Sequence, residues 1–77
     1  MREVKVGKKY KHFKGKEVEV LMLAKDSEDL SEVVIYKHDG EVWVRKKDEF
    51  LSEVDHNKYP DVKQKYRFEE VVWKIRI

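Results

Sequence analysis

An all-β fold, a small closed barrel of five short strands, is what this sequence predicts, and three observations carry the prediction. Apolar residues recur with a strand period rather than a helical one, and tight-turn signals at Gly15 and Asp39-Gly40 separate the extended runs. A chain of 77 residues must also protect the strand edges that so small an open sheet would expose.

The first extended run holds Tyr10, His12 and Phe13 and ends at Lys14-Gly15, where glycine supplies the positive φ of a tight turn. It leads into Glu17 to Ala24, with Val18, Val20, Met22 and Ala24 on one side and Glu17, Glu19, Leu21 and Leu23 on the other. This strand is expected to begin half exposed and to end buried on both faces. Lys25 to Glu32 is a polar loop in which Ser27 or Asp29 is placed to cap a single helical turn. Val33-Val34-Ile35-Tyr36, then Asp39-Gly40, then Val42-Trp43-Val44 make the strongest hairpin signal in the chain.

Lys47 to Leu51 interrupts the alternation. Asp48 is the expected cap of a short helical turn that drops Phe50 or Leu51 into the core. Asp55 to Gln64, polar and holding Pro60, is the expected mobile loop. Tyr66 to Ile77 reads as extended again, and Val71-Val72 shifts the phase between Tyr66, Phe68 and the later Trp73, Ile75 and Ile77, as a bulge would. Five strands, two hairpins and a helical turn before the last strand suggest one SH3-like barrel domain over residues 1–77. An OB-like barrel is the main rival, and it usually needs a longer chain and a helix between its third and fourth strands.

With 40% hydrophobic and 44% charged residues, the chain has apolar side chains for one thin core layer inside a charged coat. Having no cysteine, it can form no disulfide, thiolate metal site or cysteine nucleophile. The start, Met1 to Val6, lacks the apolar run of a signal peptide, and no stretch approaches the roughly 20 apolar residues of a membrane span. A cytoplasmic location and no membrane partner are therefore expected. His12, His38 and His56 lack zinc-ligand spacing, Gly7, Gly15 and Gly40 are too dispersed to cradle a phosphate, and Glu17 with Glu19 reads as a solvated strand face. No metal, no cofactor and no enzymatic activity are expected.

Net charge is only +2, yet its distribution is uneven. Met1 to Lys25 carries eight basic against three acidic residues, Asp26 to Asp55 four against ten, and His56 to Ile77 six against three. If the fold joins the two basic ends, Lys9, Lys11, Arg67, Lys74 and Arg76 share one side, away from the acidic loop, and offer a polyanion footprint.

Within Lys8 to Lys16, lysines interleave with Tyr10, His12 and Phe13, a mixture that suits single-stranded nucleic acid because lysines neutralise phosphates while rings stack on bases. Lys9, Tyr10, Lys11 and His12 are the candidates there; the alternative is that the rings are core and the lysines only keep a strand edge soluble. Trp43 and Arg45 share a strand face and form a second candidate group. Tyr10, Tyr36 and Trp43 would serve equally as an aromatic groove for a peptide, or as core. The expected function is thus a non-enzymatic binding module, with nucleic acid or another polyanion as the first partner class and a peptide or protein as the second.

Tyr10-Lys11-His12-Phe13-Lys14-Gly15, Val18-Glu19-Val20-Leu21, Ala24 with Ser27-Glu28, Val34-Ile35-Tyr36, Trp43-Val44-Arg45, Phe50 and Arg67-Phe68 occur in an order that resembles the bacterial family known as domain of unknown function 1653. The resemblance covers roughly residues 7–68 and implies an SH3-like barrel; it implies no activity. The segment 69–77 continues beyond it. Trp73, Ile75 and Ile77 alternate there, and are expected either to close the chain's own barrel, giving a monomer, or to pair with a second copy in a homodimer. The monomer is the favoured expectation because so short a chain needs its large apolar side chains for its own core.

Overall fold

A computed structural model describes residues 3–71. The expectations placed on Val72, Trp73, Lys74, Ile75, Arg76 and Ile77 lie outside the described residues. The elements run β1 (Lys9–His12), β2 (Glu17–Lys25), β3 (Glu32–His38), β4 (Glu41–Lys46), α1 (Lys47–Phe50) and β5 (Phe68–Glu70). The five strands form one antiparallel sheet in the order β4-β3-β2-β1-β5. The domain is therefore small and all-β, with a helical turn before the last strand.

Both predicted hairpins form, and each for its own backbone reason. The β1–β2 turn is closed by Gly15 N–H donating to the His12 carbonyl at 2.8 Å and His12 N–H donating to the Lys16 carbonyl at 2.7 Å, with Gly15 at φ 98°. That is a three-residue loop ending in a left-handed glycine. In the β3–β4 turn Asp39 and Gly40 both have positive φ, 53° and 79°, the pair of values that matches hairpin twist.

Among the described residues the barrel is not closed. β4 and β5 are the two sheet edges and meet through side chains, the Arg45 guanidinium carbon lying 5.8 Å from the Phe68 ring centroid. β2 also departs from expectation. A register shift between Val20 and Met22 breaks its alternation, the core takes only Val18 and Val20 from it, and Met22 and Leu23 are 52% and 43% exposed. Its far end is therefore not buried on both faces.

The core is aromatic. The rings of Phe50 and Phe68 stack at 4.2 Å and 4°, Tyr10 meets Phe50 edge-on at 5.3 Å, and Tyr36 lies 5.8 Å from both phenylalanines. α1 delivers Phe50, as expected, and Leu51 packs beside it. Asp48 does not cap it: the cap position is Lys46, and no side chain bonds there. The loop before β3 forms the single turn expected, the Leu30 N–H donating to the Asp26 carbonyl at 2.8 Å, but neither Ser27 nor Asp29 caps its start. Asp26 and Asp29 instead accept hydrogen bonds from the backbone N–H groups of Glu28 and Ser31, bending the chain two residues on.

The segment 52–67, which contains the expected mobile loop Asp55 to Gln64, is tied back to the sheet at its ends. Gln64 donates to the carbonyls of Lys11 and Tyr66, each at 2.9 Å, Glu53 bridges to Tyr66, and Arg67 N–H donates to the Ser52 carbonyl at 2.8 Å. Val54 is buried beneath this segment. Its polar composition serves internal hydrogen bonds as well as solvent.

Candidate functional site

Strand alternation sorts the sheet into two faces. The inner face carries Tyr10, Val20, Val34 and Tyr36 into the core and, toward its open end, presents His12, His38, Trp43 and Arg45. There a cleft of about 200 Å³ lies between the two sheet edges that fail to pair. Val18 and Phe68, both buried, make its floor, and Lys14 and Lys16 from the β1–β2 turn join its rim. Among the described residues no carboxylate lines it.

Trp43 is 47% exposed, and its indole N–H donates to the His38 carbonyl at 3.4 Å, which orients the ring while leaving much of it open to solvent. Arg45 lies over Phe68 and reaches Glu49 at only 3.7 Å, a long contact to an exposed carboxylate that screening weakens. Its Nε is shielded from solvent and has no hydrogen-bond partner among the described residues. Lys14 holds its ammonium 5.9 Å from the Phe13 ring centroid and 5.6 Å from that of Tyr59.

The two histidines of the cleft are fixed in opposite tautomers. The His12 Nδ1 accepts the Lys14 backbone N–H at 3.1 Å, so the neutral ring carries its proton on Nε2. The His38 Nδ1 lies 3.1 Å from the Glu17 carbonyl, which can only accept, so His38 donates from Nδ1. Burial and then the positive charges of Arg67, Arg45, Lys14 and Lys16 push the His12 pKa down to about 4. His12 is therefore a neutral donor at neutral pH and reports that four cations converge on it. Its ring is held by Phe13, stacked at 4.5 Å, and by Phe68, edge-on at 4.9 Å.

A second hollow of about 380 Å³ adjoins the first and shares His12, Lys14 and Arg45 with it. Phe13, Tyr59, Lys58 and Arg67 line the rest with Val54 and Asp55. The Asp55 Oδ1 accepts from the backbone N–H groups of Asn57 and Lys58 at 3.0 and 3.3 Å, so one oxygen of the acid that lines this hollow among the described residues is used in its own turn.

Of the residues singled out in the sequence, His12, Tyr36, Trp43 and Arg45 converge on the cleft. Tyr10 does not: it is 2% exposed, and its hydroxyl accepts the Lys5 N–H at 2.9 Å, so it is core and offers no ring to a ligand. Lys9 and Lys11 stand on the opposite face. Lys9 is paired with Glu19, and Lys11 with Glu17 on one side and Glu69 on the other. Cross-strand partners of opposite sign balance that face. The expected grouping of Lys9 and Lys11 with Arg67 is thus replaced by one of Arg67 with Lys14 and Arg45, while Lys74 and Arg76 lie outside the described residues. The acidic loop is matched elsewhere, by Lys46 to Asp29 and Lys47 to Glu32, both at 2.8 Å. These pairs hold both carboxyls below the usual carboxylate range.

Arg67 is among the ligand contacts that the sequence suggests, in the polyanion footprint, whereas His38, Phe68, Tyr59 and Lys58 are not. Only chain folding brings them in, and nothing in their local sequence marks them. Among the described residues no group of three or more His, Asp or Glu side chains is placed to hold a metal ion, and no helix is long and apolar enough to cross a membrane.

The family described as "Protein of unknown function (DUF1653)" matches residues 8–70. The chain belongs to that family. No curated protein and no solved structure matches it. The DUF1653 match spans all five strands, and both hollows are built wholly from residues within it.

Proposed function

We propose that this DUF1653 domain is a non-enzymatic binding module for single-stranded nucleic acid, and that the cleft between β4 and β5 is its contact surface. The observation that carries the reading is an exposed indole, Trp43, in a cleft whose only charged side chains among the described residues are Lys14, Lys16 and Arg45. Cations neutralise phosphates, and an open ring face stacks on a base without reading its identity. The same charge disfavours a basic peptide, which sets the aromatic-groove reading behind this one.

The strand order and the helical turn before β5 support an SH3-like barrel, opened at one seam to make the site. Fold by itself does not select the ligand. A cytoplasmic monomer is the setting that fits this reading.

Fluorescence anisotropy with labelled oligothymidylate tests it. Binding at low salt should weaken with a log–log slope of about −0.7 per phosphate neutralised. Trp43→Ala should weaken it about tenfold or more while leaving the thermal transition in place, because the ring is half exposed. No binding at low salt overturns the proposal. Binding of an acidic peptide with no binding of oligonucleotide would hand the cleft to a protein partner.

A further inference from the structure

The first hollow, about 200 Å³, is smaller than the roughly 300–1,000 Å³ pockets that enclose a drug-sized ligand, whereas the adjoining hollow adds about 380 Å³. Each hollow has its own aromatic surface, Trp43 in the first and Tyr59 beside Phe13 in the second, the latter two rings 5.0 Å apart. The residues common to both are His12, Lys14 and Arg45, so two cations and an imidazole donor mark the boundary between the hollows.

We propose that the groove is a two-nucleotide site: one base stacks on Trp43, the next on Tyr59, and the phosphate joining them lies against Lys14, Arg45 and the Nε2–H of His12. This rests on the nucleic-acid reading of the cleft and adds to it the length of the ligand and a second subsite.

The boundary groups are prepared for an anion. The Lys14 ammonium faces the rings of Phe13 and Tyr59, and Arg45 holds, among the described residues, a long contact to Glu49 and its place over Phe68. His12 is held in the tautomer that donates from Nε2 by the Lys14 backbone. Tyr59 is positioned by a folded segment: its N–H donates to the Asp55 carbonyl at 2.9 Å, and Lys58 Nζ lies 5.5 Å from its ring centroid. Arg67, at the far wall, is fixed by donating from Nε to the Ser52 hydroxyl at 3.1 Å.

Calorimetric titration with thymidine 3′-monophosphate, the dinucleotide d(TpT) and the trinucleotide d(TpTpT) tests the proposal on the full chain. The dinucleotide should bind about tenfold or more tighter than the monophosphate, since one further stacked base is gained, and the trinucleotide should add less than threefold. Tyr59→Ala should reduce dinucleotide affinity to the monophosphate level and leave the monophosphate unchanged, whereas Trp43→Ala should weaken both. If Tyr59→Ala loosens the fold by thermal melting, Tyr59→Leu keeps the packing against Phe13 while removing the aromatic face, and the same result is expected. Equal affinity for monophosphate and dinucleotide, or an undiminished dinucleotide affinity in Tyr59→Leu, overturns the two-nucleotide site and leaves nucleic-acid binding standing. Failure of all three ligands together with oligothymidylate overturns the nucleic-acid reading itself.

Discussion

Lys9 and Lys11 lie on β1, and Lys14 and Lys16 follow just past its end, yet the structure gives the two pairs opposite surroundings. Lys9 and Lys11 stand across from Glu19, Glu17 and Glu69, so their charge is balanced on the outer face. Lys14 and Lys16 reach the inner side, where they join Arg45 and, among the described residues, no carboxylate in the cleft. The lesson is that a basic run on a strand is not one surface. Alternation divides it, and the register of the neighbouring strands decides which part keeps its field.

The largest expected effect concerns the core that holds the two faces apart. Phe50 is fully buried against Tyr10, Tyr36 and Phe68, so Phe50→Ala should cost about 3–5 kcal/mol and, in a domain this small, abolish the cooperative thermal transition or lower it severely. A small shift in melting temperature would mean that the aromatic stack is not the centre of the fold.

Next comes the charge comparison itself, made with two double variants that change net charge equally. Lys14→Gln with Lys16→Gln should weaken oligothymidylate binding tenfold or more and flatten its salt dependence. Lys9→Gln with Lys11→Gln should change affinity less than threefold. Equal losses in anisotropy titrations would show that binding follows overall charge and not the cleft.

A smaller effect follows from His12. Its folded pKa, about 4, is below the ordinary value of 6.5, so the unfolded chain takes up this proton first as pH falls. His12 therefore lowers the stability of the free domain progressively from about pH 6.5 to about pH 4, and adds no further loss below that. An anion in the cleft opposes the cations responsible for much of the shift. Proton NMR of the His12 ring should show its pKa raised in the complex, with affinity increasing as pH falls. An unchanged His12 titration with ligand bound would place the anion elsewhere.

Much of this was legible before any coordinates. The two hairpins followed from Gly15 and Asp39-Gly40, whose left-handed backbone is a local requirement, and Phe50 announced itself as an apolar residue in a break of the alternation. The pairing of Trp43 with Arg45 on one face followed from strand period alone. What escaped depends on contacts distant in sequence. The register that sets Lys9 against Glu19, the irregularity after Val20 that exposes Met22 and Leu23, and the return of residues 52–67 that brings Tyr59 to Phe13 leave no local mark. Tyr10 shows the limit most clearly: its basic neighbours and its apolar ring left surface and core both open, and its side chain is in the core.

The most direct test of the central claim is chemical-shift mapping of the ¹⁵N-labelled domain with oligothymidylate at low salt. Saturable shifts should gather at the Trp43 indole N–H, the Arg45 side chain, the His12 ring and the Phe13 to Lys16 turn. Shifts confined to the side chains of Lys9, Lys11 and Lys37 on the outer face, or none at all, would contradict it.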